Sequence, residues 1–144
     1  MSNHDTPGAG RSIQHLHPAG LHYNPAYTNV VVVTGPATTI YIGAQGPLDA
    51  QGNLVGKGDI GAQTDQALQN VQPALAAAGA RLEHVIKWST YLAQGQPLQR
   101  GIAAFQRVWG NRPNPPANTV VYVPELVPAD FLVAIEAIAV MALP

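Results

Sequence analysis

The sequence predicts an α/β chain of the α+β kind: one mixed sheet with two helices on one face, in the order β-β-α-β-α-β-β. Three observations predict it. Short runs rich in β-branched residues stand at both ends, at 30–33, 38–42, 119–123 and 131–141. Two stretches between them carry apolar residues at helical spacing. One extended run, 84–93, separates those helices, so the sheet keeps its helices together on a single side.

Each element has a local reason. Residues 1–20 are rich in Gly, Pro, Ser and His without periodicity and are expected to form a flexible arm, leaving 21–144 as one domain. The run at 30–33 stops at Gly35-Pro36, and the run at 38–42 follows at once, so the two are expected to pair as a hairpin. Asp49-Ala50-Gln51-Gly52-Asn53 reads as a turn between Leu48 and Leu54.

Asp59 can cap the free N–H groups of the first helix. Ile60, Ala67, Leu68, Val71, Leu75 and Ala78 share its inner face, and Gly79 suits the position after its end. Pro73 inside that helix removes one backbone hydrogen bond and is expected to kink it. In the run 84–93, Ile86, Trp88, Thr90 and Leu92 alternate with Val85, Lys87, Ser89 and Tyr91. The second helix starts at Pro97, buries Leu98, Ile102, Phe105, Val108 and Trp109, and stops at Gly110.

Composition restricts the function classes. The chain has no cysteine, which excludes a disulfide framework, a zinc–thiolate cluster and a cysteine nucleophile. Seven Lys and Arg stand against eight Asp and Glu, with no basic cluster, which argues against nucleic-acid binding. No apolar run reaches the ~20 residues of a membrane span, and the N-terminal residues do not read as a secretory signal. A cytoplasmic location is the expectation. Only 10% of residues are charged, against about 25% in ordinary soluble domains. So few charges leave apolar surface that other copies of the chain are expected to cover.

Glu136 is the most informative residue, the only charge among residues 131–141. Strand alternation gives it Leu132, Ala134, Ile138 and Val140 as face-mates. A carboxylate buried there should have a raised pKa, in the range useful for proton transfer. A structural carboxylate paired with a lysine such as Lys87 fits the spacing equally well. His15, His17 and His22 lie in the Gly/Pro-rich segment without a carboxylate or cysteine at ligand spacing, so no metal site is expected. His84 reads as a strand boundary.

Gly43-Ala44-Gln45-Gly46 lacks the ending of a phosphate loop. It is either a bend or a place where backbone approaches a ligand. No GxSxG elbow is present. Arg100 and Arg107 are expected in solvent, and Arg112, in a proline-rich loop, is the better placed to reach an anion.

Five segments together resemble the Rid family, also called YjgF. They are Tyr41-Ile42-Gly43-Ala44-Gln45-Gly46-Pro47-Leu48-Asp49, Gly58-Asp59-Ile60-Gly61-Ala62-Gln63-Thr64, Leu75-Ala76-Ala77-Ala78-Gly79, Pro116-Ala117 and Ile135-Glu136-Ala137-Ile138-Ala139-Val140. The resemblance implies a chorismate-mutase-like homotrimer with sites in clefts between subunits. It also implies cofactor-independent hydrolysis of enamines and imines to a keto acid and ammonia. Glu136 would position or deprotonate the attacking water, Tyr27 would match a site tyrosine, and Gly43 and Ala44 would lie where backbone lines the pocket.

The chain departs from the family pattern at the point of substrate capture. Deaminases of the family carry an arginine after the proline-alanine pair, and here Asn118 holds that position, followed by Thr119. Asparagine brings neither charge nor a bidentate fork. Val120 stands in place of a common cysteine, and Ile102 in place of a site asparagine. The expected substrate is therefore a neutral or bulkier imine, enamine or related small molecule. A non-catalytic small-molecule-binding trimer is the alternative, with endoribonuclease activity third.

Overall fold

The computed structural model describes residues 12–143. Its elements are β1 (Ser12–Leu16), β2 (Val30–Thr34), β3 (Ala37–Gln45), α1 (Ile60–Ala77), β4 (Val85–Ala93), α2 (Leu98–Trp109), β5 (Ala117–Val123) and β6 (Val133–Ala142), with a 3-10 turn at Leu82–His84. From β2 onward this is the order read from the sequence. The arm expected over 1–20 is corrected in part. Residues 12–16 form a strand, while residues 1–11 lie outside the described residues.

The sheet is in two pieces. β3-β6-β4-β5 form the main mixed sheet, and β1-β2 form a separate antiparallel ladder. The expected hairpin between β2 and β3 is therefore not formed. β2 exchanges its backbone bonds with β1, and β3 pairs antiparallel with β6. β4 runs antiparallel to β6 and parallel to β5. A parallel pair needs a crossover, and α2 supplies it.

Asp59 caps α1 as expected, its Oδ1 accepting from the backbone N–H of Gly61 at 3.0 Å and Ala62 at 3.2 Å. Ile60, Leu68, Val71 and Leu75 are buried against Val85, Val133 and Ile135. Each such side chain contributes roughly 1.5–3 kcal/mol on leaving water. Ala78 is not on this face. It is the exposed C-cap, and Gly79 follows with φ 77°. The helix runs on through exposed Pro73 to Ala77.

Two alternation patterns differ from expectation. The pairing of β4 with β6 shifts register between Val85 and Lys87, so Val85 turns into the core while Ile86 stays half-buried. In α2 the fully buried positions are Gly101 and Ala104. Leu98, Phe105, Val108 and Trp109 are only partly buried, and Ile102 is 42% exposed. The helix rests chiefly on α1, which itself packs on β3 and β6. Both helices thus lie on one face of the main sheet, and α2 stands off from β4 and β5.

Gln63 holds the centre of this arrangement without exposing any surface. Its Nε2 donates to the carbonyls of Gly56 at 3.2 Å and Asp130 at 3.1 Å, and its Oε1 accepts from Leu132 N–H at 2.7 Å. One side chain thereby satisfies backbone on both sides of α1. No helix among the described residues is long and apolar enough to cross a membrane.

Candidate functional site

The gap between α2 and the strands beneath it is a cavity of about 590 Å³. That lies within the ~300–1,000 Å³ usual for small-molecule sites. Its floor is Trp88, Thr90 and Leu92 of β4 with Asn118 and Val120 of β5. Strand alternation explains the set. Trp88 pairs with Asn118 and Thr90 with Val120, so all four point to the helix side. Its roof is the inner face of α2, Leu98, Ile102 and Phe105, with Gly101 leaving space above Thr64. Phe105 stands edge-on to Trp88, ring centres 5.6 Å apart.

The lip comes from a distant segment. Asn24 to Tyr27 border the cavity because Thr28 is clamped to the proline loop. Its N–H donates to Pro116 O at 3.2 Å and its hydroxyl to Pro115 O. Tyr27 is half-buried there.

The cation that borders the cavity is committed elsewhere. Arg112 Nε donates to Glu83 Oε1 at 3.2 Å, and Nη1 donates to the carbonyls of Val108 at 2.9 Å and Trp109 at 3.0 Å. Its guanidinium closes the C-terminal end of α2. The Glu83 carboxyl is held below its ordinary pKa, first by its own backbone N–H and then by Arg112. Arg100 and Arg107 are on the solvent side, facing Asp59 at 4.0 Å and Asp65 at 3.0 Å.

Glu136 lies on the other face of the sheet. It is half-buried in a single chain rather than enclosed as its apolar strand implied. It lines a hollow of about 260 Å³ with Tyr41, Gly43, Lys87, Ser89 and Ile138. The lysine pairing does not form either. Tyr91 Oη donates to Glu136 Oε1 at 2.7 Å, and Lys87 Nζ donates to Thr119 Oγ1. That bond to Glu136 raises the Tyr91 pKa, because the phenol gives the hydrogen bond up when it loses its proton.

Of the residues singled out in the sequence, Tyr27, Ile102, Asn118 and Val120 come together at the cavity. Gly43 and Glu136 share the open-face hollow. Thr119 turns to that same open face, and exposed Ala44 borders neither space. His84 stays a boundary residue, its Nδ1 accepting from Arg81 N–H at 2.9 Å. Sequence reasoning missed Trp88, Thr90 and Phe105 as cavity walls, because apolar spacing looks the same for a filled core and a lined cavity. It also missed the Tyr91–Glu136 bond, which joins residues 45 apart.

The family model described as endoribonuclease L-PSP matches residues 20–141. A RutC family protein of Pyrococcus horikoshii is 37% identical over 100 residues, covering 69% of this chain and 77% of that protein. The crystal structure of the Rid-family protein YyfB from Yersinia pestis, of unknown function, superposes with a TM-score of 0.81 at 27% identity, covering 90% of this chain and 98% of that one. That of Escherichia coli TdcF with bound serine gives 0.65 at 25% identity, covering 72% and 80%. A match of this extent in sequence, with the same architecture, means that the chain belongs to the Rid (YjgF, L-PSP) family.

Proposed function

We propose that this chain binds a neutral small molecule in the cavity beneath α2 and hydrolyses its C=N bond where a neighbouring copy brings Glu136 to the cavity mouth. The observation that carries the reading is the cavity wall. It is mostly apolar, Asn118 stands at the strand position next to Trp88, and Arg112 is engaged by Glu83 and two carbonyls. A carboxylate ligand would find no uncommitted cation among these groups, whereas an uncharged one loses nothing by their absence.

In this reading residues 21–144 act as one domain of a cytoplasmic homotrimer that works without a cofactor. Glu136 and the cavity lie on opposite faces of one sheet, so a site containing both needs two chains. Water adds to the C=N carbon as Glu136 accepts its proton. The nitrogen is protonated, the C–N bond breaks, and a ketone or aldehyde leaves with ammonia.

The test is ammonia release from acetophenone imine and from 2-iminopropionate, each generated in situ with the spontaneous rate subtracted. The neutral imine should be the better substrate, and Glu136→Gln should lower kcat by about 10²–10⁴-fold. A preference for 2-iminopropionate, full activity of Glu136→Gln, or a chain that stays monomeric in solution would each overturn the proposal.

A second reading is binding without turnover. The Tyr91–Glu136 bond favours it, since a carboxylate that already accepts a phenol is partly occupied. Saturable binding of the ketone with no ammonia release from either imine identifies this case. Endoribonuclease activity, the description attached to the family model, has least support here, because phosphate recognition needs available cations.

A further inference from the structure

Among the described residues, one buried hydroxyl at the cavity is not used by the fold. Thr90 is 3% exposed, lines the cavity from the middle of β4, and its Oγ1 has no hydrogen-bond partner among the described residues. The other buried hydroxyl at the cavity differs, for Thr64 Oγ1 donates to Ile60 O at 2.7 Å. Burying a hydroxyl without a partner is unfavourable, and valine would fill the same volume without that cost. The hydroxyl oxygen is enclosed in the present rotamer, and reaching a ligand takes a step to another staggered position about the Cα–Cβ bond. Trp88 and Leu92 flank it on the same strand, and Phe105 packs edge-on to Trp88.

We infer that Thr90 selects the ligand: a flat, uncharged molecule lies against Trp88 and Phe105 and presents a carbonyl oxygen or imine nitrogen to the Thr90 hydroxyl. This rests on the cavity being the binding site of the preceding reading. It adds the class of molecule, an aromatic ketone or ketimine, and the residue that reads its polar atom. Thr90 donates to the acceptor atom and so distinguishes molecules of equal shape that lack one. Asn118, near the other end of the floor, is exposed and does not supply this discrimination from inside.

Acetophenone and α-methylstyrene form a matched pair, since they differ in outline only by oxygen against methylene. Their dissociation constants are measured by calorimetry on the full chain, wild type, Thr90→Val and Thr90→Ser. Thr90→Val should weaken acetophenone about fivefold or more and leave α-methylstyrene unchanged or tighter, while Thr90→Ser keeps the wild-type preference. Without ligand, Thr90→Val should melt at a higher temperature than wild type, because the unpaired hydroxyl is gone.

If Thr90→Val shifts both probes equally or neither, the hydroxyl serves an ordered water or nothing, and the inference is overturned. Failure of both probes to bind wild type at millimolar concentration overturns it as well. Discrimination by Thr90 with no ammonia release removes only the hydrolytic reading. Ammonia release without discrimination removes only this inference.

Discussion

The phenol of Tyr91 on β4 donates to the carboxylate of Glu136 on β6 at 2.7 Å, across the open face of the sheet. Ser89 is the residue directly opposite Glu136 in the ladder, so the bond runs diagonally, and the long tyrosine side chain spans the offset. It fixes the one acidic group that the sequence places in the closing strand. The same bond makes that group measurable.

Tyr91 should titrate above the ordinary tyrosine pKa of 10.0, because its bond to Glu136 favours the protonated phenol. A raised folded pKa contributes stability that is fully present below the unfolded value. That stability is lost as pH rises through the folded value. Ultraviolet titration of phenolate formation should show one late tyrosine in wild type. In Glu136→Gln that tyrosine should move back toward the others. A titration curve unchanged by the substitution would place the carboxylate away from Tyr91 in solution.

Gln63 should be among the least replaceable residues outside the apolar core. Gln63→Leu keeps the volume but leaves the carbonyl of Asp130 and the N–H of Leu132 without this partner, while the carbonyl of Gly56 keeps the Asp59 N–H. Each backbone group left unpaired away from water costs about 1–3 kcal/mol. Urea denaturation should therefore show a loss well above the roughly 1 kcal/mol of an ordinary substitution. A loss below that would mean that water replaces the amide at both groups.

Gln63 also shows where the sequence was legible and where it was not. Asp59, Ile60, Leu68 and Leu75 were readable because capping and helical spacing are local, and each does what its spacing implied. Gln63 lies next to them and reads as a polar residue on a helix. Its partners Asp130 and Leu132 are 67 and 69 residues away, and nothing local announces them.

The same limit hid β1, whose five residues show no strand periodicity and become a strand through pairing with β2. It bears on the candidate site as well. Glu136, Asn118 and Tyr27 read as parts of a site shared between subunits, and within one chain strand alternation sends Glu136 and Asn118 to opposite faces. Alternation within each strand was readable, but the relative facing of β5 and β6 depends on register, which is set by the whole sheet.

Asn118→Arg should convert the cavity from neutral to anionic ligands. Asn118 is exposed at the cavity, so an arginine there keeps its charge solvated until a carboxylate arrives. A charge-assisted hydrogen bond contributes about 1.5–3 kcal/mol, or one to two powers of ten in affinity. Calorimetry with benzoate should show that gain, while acetophenone changes little. Equal benzoate affinity in both proteins would mean that another cation already serves the cavity.

Arg112 is the cation that could serve it, and Glu83 decides whether it does. The Glu83 carboxyl is held below its ordinary pKa of 4.5 by its own backbone N–H and by Arg112. A lowered folded pKa contributes stability that is present above the unfolded value and lost as pH falls through the folded one. Both side chains are more than a third exposed, so screening keeps that contribution small. The informative readout is therefore binding. Glu83→Gln removes the partner of Nε, but Nη1 remains on the carbonyls of Val108 and Trp109. Benzenesulfonate, which stays anionic across the acid range, should then bind only a few-fold tighter, far short of the gain expected for benzoate in Asn118→Arg. A gain in Glu83→Gln as large as in Asn118→Arg would show that Arg112 leaves the helix end and enters the cavity, and the neutral-ligand reading would fail at its first premise.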